Sequence, residues 1–176
     1  ANSRGLWAGD SDITLRVVTR TAPTPGWDVV REDDVREEYD TSGRLTAIHW
    51  PDTDAVTLGH DPVGLAWIED RRGRRIELVY SGGLLSGLLL PDGRTVAYGY
   101  DQGRLATVAR EAVVSSTPQL ATRSYVYDDA ADPLLLTGIV DENNTRYAAW
   151  EYDAEGRVTT SRHGGVSSPI DLVRSE

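Results

Sequence analysis

The sequence predicts an all-β fold, an antiparallel meander of about twelve strands joined by hairpins. Three observations carry that prediction. A unit of Tyr-Asp, Gly-Arg and an aliphatic residue recurs along the chain. A second series of turn sequences falls between its copies. The stretches between turns alternate in side-chain size with the period of two that a pleated strand imposes.

The repeat is complete at Tyr39-Asp40-Thr41-Ser42-Gly43-Arg44-Leu45 and at Tyr152-Asp153-Ala154-Glu155-Gly156-Arg157-Val158. A copy one residue shorter is Tyr100-Asp101-Gln102-Gly103-Arg104-Leu105. Weaker copies begin at His60-Asp61, ahead of Gly64-Leu65, at Tyr80-Ser81, and at Tyr127-Asp128. The six starts, at 39, 60, 80, 100, 127 and 152, are separated by 21, 20, 20, 27 and 25 residues. A fixed period of this kind decides an architecture more firmly than any single segment does.

The second turn series is Pro51-Asp52-Thr53-Asp54, Asp70-Arg71-Arg72-Gly73, Pro91-Asp92-Gly93 and Asp141-Glu142-Asn143-Asn144. Proline presets φ for the first corner of a turn, and Gly and Asn accept positive φ. Each period therefore holds two strands and two turns, with hairpins as the natural connection.

Val96-Ala97-Tyr98-Gly99-Tyr100, Arg123-Ser124-Tyr125-Val126-Tyr127 and Ala148-Ala149-Trp150-Glu151-Tyr152 read as strands ending in the repeat tyrosine. Tyr39, His60, Tyr80, Tyr100, Tyr127 and Tyr152 are expected to form a column, with Leu58, Leu78, Tyr98, Tyr125 and Trp150 beside it. Cross-strand contacts of this type contribute about 0.2–1 kcal/mol each. The arginines after the turns, Arg44, Arg74, Arg94, Arg104 and Arg157, are expected to pair with carboxylates on neighbouring hairpins. The alternative is a ligand-facing row, since stacked Arg and Tyr can hold a carboxylate or a sugar.

The repeats occupy residues 35–162. Residues 1–34 carry a strand at Ile13 to Thr19 and a Pro-rich turn at 21–26, and read as an end cap or a divergent repeat. Ala112 to Thr122 is polar and small and reads as a surface loop. Residues 163–176 read as a C-terminal tail.

Composition narrows the function. A net charge of −10 argues against nucleic acid, whose phosphates need a positive surface. No apolar run approaches the roughly 18 residues of a helical membrane span, and no basic-then-apolar leader stands at the N-terminus. Absence of Cys excludes disulfides and thiolate metal sites.

Tyr-Asp-x-x-Gly-Arg-Leu at a period near 20 residues resembles the YD repeat of the bacterial Rhs proteins and the animal teneurins. The stretch from Tyr125-Val126-Tyr127 through Leu134 to Glu142, with Arg146-Tyr147 and Trp150-Glu151-Tyr152-Asp153, is similar to proteobacterial Rhs sequences. The resemblance covers residues 35–162. It implies a ribbon of antiparallel strands that spirals into a hollow shell enclosing a C-terminal toxin, as in polymorphic toxins delivered by secretion. It also implies a bacterial protein, secreted or at the cell surface and exported as part of a longer chain, with the rest of that protein and the toxin as partners. Twelve strands at about 4.8 Å make a sheet only about 60 Å wide, too little to close around a protein cargo. A segment with open edges favours pairing with a second copy.

No catalytic, cofactor or metal residue is expected. Asp61-Pro62-Val63-Gly64-Leu65 resembles the element at which Rhs shells release their toxin. Here it stands in phase with the repeat and reads as a hairpin turn. His49, His60 and His163 lack metal-ligand spacing, and His60 takes the place of a repeat tyrosine. Asp52 and Asp54 lack the Gly and distal Glu of a calcium loop. Gly83-Leu84-Leu85-Ser86-Gly87 is one residue out of register with a nucleophile elbow. The repeat residues therefore read as structural, and the chain as a non-enzymatic scaffold. The competing expectation is a recognition module that binds cell-surface carbohydrate or protein through a Tyr/Trp face.

Overall fold

The computed structural model describes residues 15–51, 55–114, 117–163 and 170–171. These residues form strands and turns, with no helix among them. Two compact units divide the chain, Ala1–Gly83 and Leu84–Glu176.

The first unit holds seven strands: β1 (Arg16–Arg20), β2 (Gly26–Val30), β3 (Arg36–Asp40), β4 (Leu45–His49), β5 (Val56–His60), β6 (Leu65–Asp70) and β7 (Arg75–Ser81). Each pairs antiparallel with the next in chain order. The second holds eight: β8 (Leu84–Leu89), β9 (Thr95–Asp101), β10 (Arg104–Val114), β11 (Thr117–Val126), β12 (Gly138–Val140), β13 (Arg146–Tyr152), β14 (Val158–His163) and β15 (Ile170–Asp171). They too pair antiparallel in chain order. The all-β meander expected from the turn spacing is the fold.

Register gives the first unit two unlike faces. Opposite partners share a face, so Val17, Trp27, Val29, Tyr39, Ile48, Leu58 and Ile68 line one side. The other side carries Arg20, Asp28, Arg36, Glu38 and His49. Among the described residues each strand packs only against its neighbours in chain order, and burial is correspondingly shallow. Among the described residues the buried apolar side chains are Val35, Ala47 and Ala148, and no large side chain is fully buried. Backbone ladders and turns therefore hold this fold more than a packed core does.

The repeat region holds the twelve strands expected of it, β3 to β14, with β1, β2 and β15 outside it. Two expectations differ from the structure. Ala112 to Thr122 is not a loop: β10 and β11 continue through it, pairing Ala112 with Gln119 and Val114 with Thr117. Small residues satisfy a ladder as well as large ones, because the pairing groups belong to the backbone. The segment read as a tail supplies β15, paired to β14 through Thr160–Asp171 and Ser161–Ile170. Ile13 and the 52–54 turn lie outside the described residues.

Candidate functional site

The repeat is a turn, a bulge and a tyrosine, each created by the one before it. In the complete units Asp40 and Asp153 open a five-residue turn. The Asp40 amide donates to the Arg44 carbonyl at 2.9 Å and the Gly43 amide to the Asp40 carbonyl at 3.0 Å, and Asp153, Gly156 and Arg157 repeat the pattern. The fourth position needs positive φ, supplied by Gly43 at 79° and Gly156 at 74°. The second turn series uses the same device at Asp70–Arg74 and Asp141–Thr145, with Asn144 at φ 59°.

The aspartate side chain closes each of these turns. Asp40 Oδ1 accepts from the Ser42 and Arg44 amides at 2.8 and 2.9 Å, and Oδ2 accepts from Arg44 Nε at 2.9 Å. Asp153 does the same with Glu155 and Arg157, and Asp70 with Arg72 and Arg74. The backbone amide of Arg44, then its guanidinium, holds the Asp40 carboxyl below the usual carboxylate range. Asp70 and Asp153 are lowered first by the amides of Arg74 and Arg157. In Asp61 the acceptor role persists without an arginine, towards the Val63 and Gly64 amides.

The arginine ladder between hairpins is therefore not what forms. Arg44, Arg74, Arg94, Arg104 and Arg157 pair with Asp40, Asp70, Asp92, Asp101 and Asp153 of their own turns. A partner two to four residues away costs less ordering than one on another hairpin. The Asp101–Gln102–Gly103–Arg104 turn is tighter, with positive φ at both Gln102 (49°) and Gly103 (80°) and Asp101 directly opposite Arg104. Its arginine is the most enclosed of the five, at 15% side-chain exposure, with the Tyr127 ring 5.0 Å away and the Pro133 carbonyl as a further acceptor.

After the turns that follow Tyr39, His60, Tyr100 and Tyr152 the ladder slips by one residue. Tyr39 faces Leu45 and Glu38 faces Ala47, leaving Thr46 as a bulge. The same bulge falls at Ala66 opposite Gly59 and His60, at Ala106 opposite Gly99 and Tyr100, and at Thr159 opposite Glu151 and Tyr152. Thr46 and Thr159 return their hydroxyls to the Glu38 and Glu151 carbonyls at 3.1 and 3.2 Å. At Gly59 the partner Trp67 packs so close that a Cβ would stand 2.0 Å from its Cε2, and Arg75 lies 4.1 Å above the same ring.

Beyond the bulge the next strand pairs late. Pairing of β4 with β5 reaches only Ala47–Thr57, so the Leu45 carbonyl has no ladder partner there, and His60 Nε2 stands 2.8 Å from it. Tyr80 donates to Leu65 O at 2.9 Å past the last β6–β7 pair, Trp67–Glu77. Tyr100 donates to Leu85 O at 2.9 Å past Gly87–Ala97, and Tyr127 to Leu105 O at 3.1 Å past Thr107–Ser124. Tyr152 donates to Leu136 O at 2.7 Å. The aromatic series is thus a set of side-chain hydrogen bonds that finish incomplete ladders, and not a stack of rings. The close ring contact among the described residues pairs Tyr147 with His163, at 4.2 Å.

Two positions depart from the rule. Asp128 closes no Gly-Arg turn: its amide donates to Thr137 Oγ1, and Asp129 and Asp132 cap the longer loop instead. Its carboxylate lies 3.8 Å from Arg146. Tyr39 is the other. Its ladder with β2 is complete, Trp27 opposite Tyr39 and Gly26 opposite Asp40, so no unfinished ladder awaits its hydroxyl. Tyr39 donates instead to Glu37 Oε2 at 2.7 Å. That bond, then burial and the charge of Glu37, push the phenol up to about 12.

Arg20 also anchors an ion network across β1 to β4. It lies 2.7 Å from Asp28 and 2.8 Å from Glu38, Arg36 lies 2.9 Å from Glu38, and His49 Nε2 lies 2.8 Å from Glu38. Asp28 and Glu38 are directly opposite in the ladder, and the two arginines offset their repulsion. Among the described residues no three metal-capable side chains converge, and no helix is long and apolar enough to cross a membrane.

No protein-family model matches the chain, and no curated protein matches it. The bulge and the tyrosine bond escaped the sequence reading, although a signal was present. At the four bulges the residue after the turn aliphatic is Thr46, Ala66, Ala106 or Thr159, small in each case.

Proposed function

We propose that this chain is a non-catalytic structural scaffold, a segment of an Rhs-type shell that encloses a C-terminal toxin. The observation that carries this reading is the assignment of the repeat side chains. Tyr80, Tyr100, Tyr127 and Tyr152 give their hydroxyls to main-chain carbonyls, and the turn arginines give their guanidinium groups to aspartates of the same turns. Residues that recur by position thus act on neighbouring strands, which is what an extensible wall needs. The remaining link to a toxin rests on the YD-repeat resemblance.

The test is to read the coding sequence on both sides of this segment and purify the whole product. Further Tyr-Asp-x-x-Gly-Arg units, and a downstream domain resistant to protease until the repeats are denatured, are the expected result. A product that ends close to this segment on both sides and runs as a compact monomer in size-exclusion chromatography with light scattering would overturn it.

A further inference from the structure

We propose that Asn143, at the tip of the β12–β13 hairpin, is a modification site that carries an N-linked oligosaccharide. The site is independent of what the scaffold encloses. Asn143-Asn144-Thr145 has the acceptor pattern of asparagine, any residue but proline, then a hydroxyl residue. Of Asn2, Asn143 and Asn144, Asn143 alone has Ser or Thr two places on.

The pattern falls where this turn departs from its siblings. Asp40–Arg44, Asp70–Arg74 and Asp153–Arg157 each have Gly at the fourth position. At the fifth, an arginine Nε donates to the opening aspartate at 2.9, 2.7 and 2.7 Å. Asp141–Thr145 keeps the backbone of that turn. The Asp141 amide donates to the Thr145 carbonyl at 2.8 Å, and Asp141 Oδ1 accepts from the Asn143 and Thr145 amides at 2.9 Å. Its fourth and fifth residues are Asn144 and Thr145. The turn itself explains Asn144, since φ is 59° there and Asn is the commonest substitute for Gly at positive φ. It explains neither Asn143, whose place is taken elsewhere by Ser42, Arg72 and Glu155, nor Thr145. One change thus removes the arginine clamp and supplies the hydroxyl.

Access is open. Asn143, Asn144 and Thr145 are all exposed, and none of the three pairs in the β12–β13 ladder. Glu142 is drawn back by Arg110 at 3.0 Å and Arg123 at 3.2 Å. The turn is anchored beside the residue that would be modified. A bulky polar group on Asn143 therefore projects to solvent without breaking a backbone pair.

The donor class is an oligosaccharide on a polyprenyl diphosphate, brought by a transferase. Asn143 Nδ2 forms a bond to C1 of the first sugar. The bond from C1 to the diphosphate oxygen breaks, and the polyprenyl diphosphate leaves with its electron pair. The amide proton passes to a base of the transferase, and nothing is oxidised or reduced.

The experiment is mass spectrometry of the whole chain purified from the cells that make it, after trypsin. Cleavage at Arg123 and Arg146 puts Asn143 in the peptide Ser124–Arg146. That peptide is expected to be heavier by a whole number of sugar residues, with the sugar held on Asn143 under electron-transfer fragmentation. Asn143→Gln and Thr145→Val should each abolish the increment. Thr145→Ser and Asn144→Gly, which keep the pattern, should retain it. A thermal melt of each variant shows whether the turn still folds. Ser124–Arg146 found only at its unmodified mass, sugar placed on another residue, or an increment that survives Thr145→Val would each overturn the proposal.

Discussion

The Tyr80 hydroxyl donates to the carbonyl of Leu65 at 2.9 Å, across fifteen residues and past the last ladder pair between their strands. A repeat tyrosine is therefore a piece of backbone pairing carried on a side chain. Its value to the fold lies in one oxygen atom as much as in a ring.

Tyr80→Phe keeps the ring and removes that bond, so it should destabilise the first unit by about 1 kcal/mol. Tyr152→Phe should do the same to the second. Tyr147→Phe is the comparison, because Tyr147 stands outside the series and meets His163 through its ring; it should change stability by less than about 0.5 kcal/mol. Urea melts of the three variants decide the point, and equal losses would remove the special role of the hydroxyl.

The turn aspartates predict an acid dependence. Asp40, Asp70 and Asp153 are all held below their usual value of 3.8 in the folded chain, chiefly by the amides of Arg44, Arg74 and Arg157. At acidic pH the unfolded chain therefore binds more protons than the folded one, and stability falls as pH falls. The contribution is whole above the ordinary carboxylate value and is lost through the lowered folded value. Replacing all three by Asn should lower the denaturant midpoint at neutral pH and flatten its decline in acid.

Tyr39 predicts the opposite limb. Its phenol is raised from 10.0 to about 12 by Glu37, so the unfolded chain loses that proton first and stability falls between those two values. Absorbance titration at alkaline pH should resolve one tyrosine with a late midpoint. Glu37→Gln should bring that midpoint back towards the ordinary phenol value while leaving the other tyrosines unchanged.

Gly59 predicts a steric effect without a backbone one. A Cβ there meets the Trp67 ring at 2.0 Å, so Gly59→Ala should cost about 1–3 kcal/mol by overpacking. Combining it with Trp67→Leu should cost less than the sum of the two single changes, since the leucine vacates the space. An additive pair in thermal melts would show that the contact does not constrain the sheet.

By itself the sequence determined the fold class, the order of the hairpins and the positions of the turns. Those are local matters: Asp40, Gly43 and Arg44 meet within one turn, and the alternation of Val96 to Tyr100 needs no partner to be read. The tertiary structure alone decided which residue bulges, which carbonyl each tyrosine finds, and that the turn arginines bond inward. It also decided that Tyr39 donates to the Glu37 carboxylate, where Tyr80, Tyr100, Tyr127 and Tyr152 donate to main-chain carbonyls. Each of these depends on register between strands, and a slip of one residue moves every side chain to the opposite face. Residue types announce that a strand will pair, and only its neighbours settle where the pairing stops.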